Sequence, residues 1–71
     1  DWEQMKDIIM LDILRVKFSD PGLAKRLLET DGQELVEYNY WHDTYWGICN
    51  DIGQNKLGKL LMQVRDELKP R

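Results

Sequence analysis

The sequence predicts a small, mainly α domain of three helices with a short two-stranded ribbon. Three observations predict it. Apolar residues recur at helical spacing over 2–18 and again over 55–68; Ser19-Asp20-Pro21 is a restart signal that opens another helix between them; and residues 35–48 hold a dense aromatic stretch with strand-forming residues at both ends. At 71 residues the chain reads as one domain, 1–71, and a domain this small hides only roughly 60% of its unfolded surface.

The first helix carries two apolar rows. Trp2, Met5, Ile9, Ile13 and Val16 form one, and Ile8, Leu11, Leu14 and Phe18 form the other. Together they wrap most of the circumference between residues 8 and 14. A helix apolar nearly all round is buried on more than one side, so a surface beyond the other two helices is expected against it. Asp20 then accepts hydrogen bonds from a new first turn, with Pro21 at its first position. That second helix, about 21–30, presents Leu23, Leu27 and Leu28, and Thr30-Asp31-Gly32 ends it, Gly32 suiting a left-handed cap.

Leu35-Val36-Glu37-Tyr38 and Thr44-Tyr45-Trp46-Gly47-Ile48 have strand character and are expected to pair as a ribbon lying on the helices. The third helix, about 55–68, follows a single stripe of Leu57, Leu60, Leu61, Val64 and Leu68, with Asn55 as its expected N-cap. Gly58 inside it costs about 1 kcal/mol relative to Ala, which predicts the close approach of another backbone.

Composition excludes several classes. The formal charge is −3 and the pI about 5.0, against a broad non-specific nucleic-acid surface. The longest strictly apolar run, Ile8 to Leu11, is far short of the ~20 residues that span a bilayer, so no membrane role is expected. One cysteine, Cys49, and one histidine, His42, cannot make a zinc site, and no metal or cofactor is expected. A lone cysteine suits a reducing, cytoplasmic compartment. The chain opens on Asp1 rather than a methionine, which predicts a piece of something longer or a processed product.

The chemistry is concentrated between Tyr38 and Trp46. Nine residues hold three tyrosines, two tryptophans, His42 and Asp43. On residue chemistry alone this stretch reads first as a small core and second as an aromatic floor for a nucleobase or ribose. In the second case a carboxylate beside the floor stabilises the oxocarbenium-like charge that develops when a glycosidic bond breaks. Asp43 reads equally as a turn cap, His42 as a surface loop residue, and Cys49 as a small buried apolar group. Arg15 and Lys17 read as solvated ends of the first helix.

Order then adds to composition. The chain runs Asp1-Trp2, Lys6, Met10, Lys17-Phe18, Leu27-Leu28-Glu29-Thr30 and Leu35-Val36-Glu37. It continues with Asp43-Thr44-Tyr45-Trp46-Gly47, Gly53-Gln54-Asn55-Lys56-Leu57-Gly58, and Leu60-Leu61-Met62 followed by Arg65. This series resembles the C-terminal half of the NADAR (YbiA-like) domain family over essentially the whole chain. The combination of D-x-x-W-G with G-x-N-x-L-G-x-x-L-M-x-x-R is its specific part.

The resemblance implies that the three helices are part of a larger YbiA-like fold, and that the activity is hydrolysis of N-glycosidic bonds in ribosyl or ADP-ribosyl compounds. Riboflavin-pathway intermediates and NAD- or ADP-ribose-related molecules are the implied substrates, with no cofactor. Carried over by position, Asp43 is the implied acid/base or oxocarbenium-stabilising carboxylate. Trp2 and Trp46 are implied stacking walls, Asn55 a polar contact or loop-fixing residue, and Lys17, Glu37 and Gly47 further substrate-binding positions. The family's preceding half, with its S-E-H-Y segment, is the implied partner of this chain, and the isolated chain is expected to be inactive without it. Ile48-Cys49-Asn50-Asp51-Ile52 departs from a stretch that is glycine-rich in many relatives. The alternative is a non-catalytic helical interaction module or inactive fragment that self-associates through its first helix.

Overall fold

The computed structural model describes residues 1–70; Arg71, the last residue of the expected 1–71 span, lies outside the described residues. Asp1 starts the first helix, α1 (Trp2–Lys17), by accepting the Gln4 N–H on Oδ1 at 2.8 Å. This satisfies one of the donors a helix leaves free at its start. At the other end Ser19 Oγ donates to Val16 O, and Asp20 then caps α2 (Pro21–Leu28) by accepting the Leu23 N–H at 2.9 Å. The restart at Ser19-Asp20-Pro21 is thus as the sequence predicts. α2 is two residues shorter than expected, because Thr30 turns its hydroxyl onto Leu27 O and Gly32 takes φ +82°.

The third helix, α3 (Lys56–Leu68), packs against both α1 and α2. Leu14 and Phe18 of α1, Leu27 of α2 and Val64 of α3 form the buried centre, with Leu11, Leu23, Leu57, Leu60, Leu61 and Leu68 packed around it. Side chains of this size each contribute about 1.5–3 kcal/mol when fully buried, and Val64, at 2% exposure, is closest to that limit. Longer-range links hold the helices in register. Arg15 grips Glu67 through Nε at 3.0 Å and Nη2 at 2.7 Å, joining α1 to α3. Arg65, buried, donates through Nη1 to Thr30 O, Thr30 Oγ1 and Gln33 O, joining α3 to the turn after α2.

The two apolar rows of α1 part company. Leu14 and Phe18 of the second row enter the core and Leu11 packs against it, whereas Ile8 of that row, at 60% exposed, and the whole first row, from Ile9 at 48% to Val16 at 74%, face outward. α2 and α3 therefore cover one side of α1 and leave Trp2, Met5, Ile8, Ile9, Ile13 and Val16 in the open. Among the described residues no helix is long and apolar enough to cross a membrane.

The expected ribbon is reduced to one parallel bridge, Tyr38 to Ile48, with Ile48 N donating to Glu37 O at 2.7 Å and Asn39 N donating to Ile48 O at 3.0 Å. The reason lies in where the carbonyls of 44–47 go. Thr44 O accepts from Gln54, Tyr45 O from Lys56, Trp46 O from Leu57, and Gly47 O from Asn55. These carbonyls satisfy the entry and free first-turn amides of α3, so the segment serves the helix start rather than a second strand.

Candidate functional site

Asn55 anchors the candidate site. Placed before α3 by the D-x-x-W-G and G-x-N segments, it is 6% exposed and sits in the left-handed region at φ 51°, ψ 41°. Asn55 stands at the N-cap position of α3 as expected, but its side chain makes no cap hydrogen bond, since the carbonyls of Tyr45 and Trp46 already take the Lys56 and Leu57 amides. Instead Asn55 Oδ1 accepts the Glu37 N–H at 2.9 Å and Nδ2 donates to Leu35 O at 3.0 Å. This two-point clamp holds the 35–37 backbone across the start of α3. The approach needs Gly58, where an added Cβ would lie 2.3 Å from Leu35 O and 2.5 Å from the Asn55 amide. The close backbone approach expected at Gly58 is therefore present. Gly47 is tight for the same reason, its Cβ position lying 2.3 Å from Glu37 O.

Asp43, half-buried, organises the aromatic stretch. Its Oδ1 accepts the Tyr45 N–H at 3.0 Å and the Trp46 N–H at 2.9 Å, a turn-capping pattern. Its backbone is clamped in turn by Asn39, whose Nδ2 donates to Asp43 O at 2.8 Å while Oδ1 accepts Asp43 N–H at 3.1 Å. His42, exposed and at φ 67°, makes the reversal between them. Its Nδ1 lies 4.0 Å from the sulfur of buried Cys49.

Tyr45 ties this stretch to α1. Its hydroxyl donates to Asp7 Oδ1 and also lies 3.3 Å from Glu3 O, and Asp7 Oδ2 pairs with Lys56 Nζ at 3.2 Å. Lys6 Nζ stands 3.6 Å from the centre of the Tyr45 ring, and Trp46 meets that ring edge to face at 4.8 Å. Desolvation first, then the Asp7 hydrogen bond and charge, pushes the Tyr45 hydroxyl up to about 12. The same hydrogen bond, with help from Lys56, holds the Asp7 carboxyl below the usual carboxylate range against the opposing effect of desolvation.

The residues singled out in the sequence fall into three places. Glu37, Gly47 and Asn55 share one hydrogen-bonded knot, and Asp43 and Trp46 share the next turn of chain. Trp2 lies at the start of α1, next to the Glu3 carbonyl that Tyr45 reaches, and is 66% exposed. Lys17 stands at the far end of α1, about 22 Å along the axis from Trp2, with its Nζ 5.6 Å from the Phe18 ring. Among the described residues there is no enclosed pocket and no cluster of His, Cys, Asp or Glu that could hold a metal ion. Sequence reasoning passed over Asp7, Asn39, Lys56 and Arg65 as structural partners. Asp7 and Lys56 carried no signal, because the pairing spans 49 positions of chain and is created by the fold. Asn39, four residues before Asp43, was legible in principle as an Asx-type loop closure.

A model of the NADAR domain matches residues 1–69. The chloroplastic riboflavin biosynthesis protein PYRR of Arabidopsis thaliana is 46% identical over 69 residues, covering 94% of this chain and 11% of that protein. N-glycosidase YbiA of Shigella boydii is 41% identical over 70 residues, covering 96% of this chain and 43% of YbiA. A riboflavin biosynthesis protein of Vibrio vulnificus is 41% identical over 71 residues, 97% of this chain and 19% of that protein. The chain thus spans less than half the length of these relatives. No solved structure matches it.

Proposed function

The chain belongs to the NADAR domain family, and from that premise we propose that it forms part of the site of an N-glycosidase acting on ribosyl or ADP-ribosyl compounds. One observation carries the reading. The Asp43 carboxylate of the D-x-x-W-G motif is half-buried beside Trp46, with Oδ1 held by two amides and Oδ2 making no hydrogen bond among the described residues. That leaves one carboxylate oxygen for substrate. As the C–N bond breaks, its electron pair passes to the departing nitrogen and positive charge builds on the sugar, which Oδ2 stabilises. A water then adds to the anomeric carbon, its proton passing by way of Oδ2 to the released base. Trp2 and Trp46 supply ring faces, Asn55 fixes Glu37, and Gly47 lets the backbone close around them. Lys17, at the far end of α1, would meet an extended or second part of the substrate. Riboflavin-pathway intermediates and ADP-ribosylated bases are the substrate classes to test, the first because two of the relatives above carry riboflavin biosynthesis in their names.

We further assign the chain to the C-terminal half of the domain, with the remaining portion covering the outward row Trp2, Met5, Ile9, Ile13 and Val16. The exposed row and the 43% coverage of YbiA support a missing portion, and the C-terminal placement rests on the resemblance in motif order alone. On this reading the isolated 71-residue chain is inactive. The complete gene product should carry an S-E-H-Y segment and release base from at least one of the two substrate classes; a product without that segment and without release overturns the reading.

The same row favours one second reading, a non-catalytic helical module that self-associates. Light scattering on the 71-residue chain separates the two. A concentration-dependent dimer abolished by Ile9→Asp favours the module, and a monomer with exposed apolar surface favours the half-domain.

A further inference from the structure

Between Glu37 and Thr44 the chain carries rings that neither the core nor the family motif uses. Tyr38, Tyr40 and Trp41 are 71%, 87% and 64% exposed. Aromatic surface held outward in water is costly, so it calls for a ligand or a partner. The local backbone keeps it there. Asn39 and Asp43 are joined by two hydrogen bonds, and His42 between them adopts a left-handed conformation. Residues 40–42 therefore form the tip of a closed loop. Tyr40 and Trp41 meet edge to face with centroids 5.3 Å apart and planes at 76°, an arrangement that leaves a broad face of each ring open.

We propose that the Tyr40–Trp41 tip is a stacking platform for the base of the substrate and determines which base-bearing compounds are accepted. The proposal rests on the N-glycosidase reading, because the group leaving an N-glycoside is a nitrogen base. Reach supports it: Trp41 and Asp43 are two residues apart, so their Cα atoms are at most about 7 Å apart. The indole therefore stands on the same closed loop as the proposed carboxylate. Charge selects a small molecule over a nucleic-acid strand. Residues 38–52 contain no Lys or Arg, and of the two lysines that reach the stretch Lys6 lies over the Tyr45 ring and Lys56 pairs with Asp7, whereas a site that tracks a strand combines stacking rings with a basic groove. Rigidity adds to affinity, since a loop closed by two hydrogen bonds loses little freedom when a base stacks on it.

The test follows the indole N–H resonance of Trp41 in the isotope-labelled complete gene product, identified by its loss in Trp41→Phe. Adenosine monophosphate and ribose phosphate are titrated separately. The nucleotide should move the Trp41 resonance to saturation at millimolar concentration, and ribose phosphate should leave it in place. Trp41→Ala should weaken nucleotide binding about five- to a hundred-fold, the scale of one base–aromatic stack, and Trp41→Phe should retain most of the affinity. A resonance unmoved by the nucleotide, moved equally by ribose phosphate, or already covered by a protein partner overturns the proposal. If Trp41→Ala does not fold, the wild-type comparison of the two ligands still decides. Base release without a Trp41 response removes the platform alone; a Trp41 response without release of any base removes the N-glycosidase reading alone.

Discussion

Asn55 holds Glu37 in place through a side chain that reaches away from its own helix. Its Oδ1 accepts the Glu37 N–H at 2.9 Å while the same amide group donates to Leu35 O at 3.0 Å. Asn55→Ala leaves both backbone groups without a partner and puts Ala in a left-handed conformation. The expected loss of stability is about 2–4 kcal/mol by urea denaturation. Asn55→Gly removes the same hydrogen bonds without the conformational penalty, so it should be less damaging than Ala by about 1 kcal/mol. Equal stabilities of the two variants and the parent would remove the clamp from the account.

Gly58→Ala sets helix propensity against packing. Propensity alone predicts a gain of about 1 kcal/mol. The added Cβ would stand 2.3 Å from the Leu35 carbonyl oxygen, a backbone atom that cannot swing aside. Overpacking of this kind costs about 1–3 kcal/mol or more, so the variant should unfold at lower temperature than the parent. A raised melting temperature would mean that segment 35–37 does not lie across α3.

Much of this arrangement was legible in the sequence, and the boundary is instructive. The three helices, the Asp20-Pro21 restart and the tight contact at Gly58 follow from local rules: spacing, capping and the absence of a side chain. That α1 carries more apolar surface than two short neighbours can cover was equally visible, although which row stays outward was not. The role of Asn55 was not legible. Local rules make it a cap, but the carbonyls of Tyr45 and Trp46 reach the α3 amides first, and this depends on a segment ten residues upstream. The ribbon failed as an expectation for the same reason, and Tyr45–Asp7–Lys56 links parts of the chain that only the fold brings together.

Tyr45 gives a pH signature. Its hydroxyl is neutral in the fold until about pH 12, against an ordinary value of 10.0. A group whose pKa is raised by folding contributes stability below the unfolded value, and that stability is lost as pH climbs from about 10 toward 12. Denaturation midpoints should fall across this window in the parent and fall less in Tyr45→Phe. Asp7, lowered by the same hydrogen bond, has the opposite dependence: its contribution is present above the ordinary value of 3.8 and is lost as pH falls below it. Asp7→Asn should flatten that acid limb.

Arg65→Met tests the buried guanidinium. The substitution keeps an apolar stem but leaves Thr30 O and Gln33 O without the donor they share. A loss of about 2–3 kcal/mol is expected in thermal or urea unfolding, and hydrogen exchange should rise first in the turn after α2. Unchanged exchange at residues 30–33 would contradict the link.

The most direct test of the central claim is Asp43→Asn in the complete gene product, assayed for release of base from ADP-ribosylated nucleobase and ribosylamino-pyrimidine substrates. Asparagine keeps an Oδ1 acceptor for the Tyr45 and Trp46 amides, so unfolding should be near that of the parent, while the charge that stabilises an oxocarbenium ion is gone. If Asp43 stabilises the developing charge, the parent releases base and the folded variant does so at least about a hundred-fold more slowly. Equal release by both, or none by the parent on either substrate class, would contradict it.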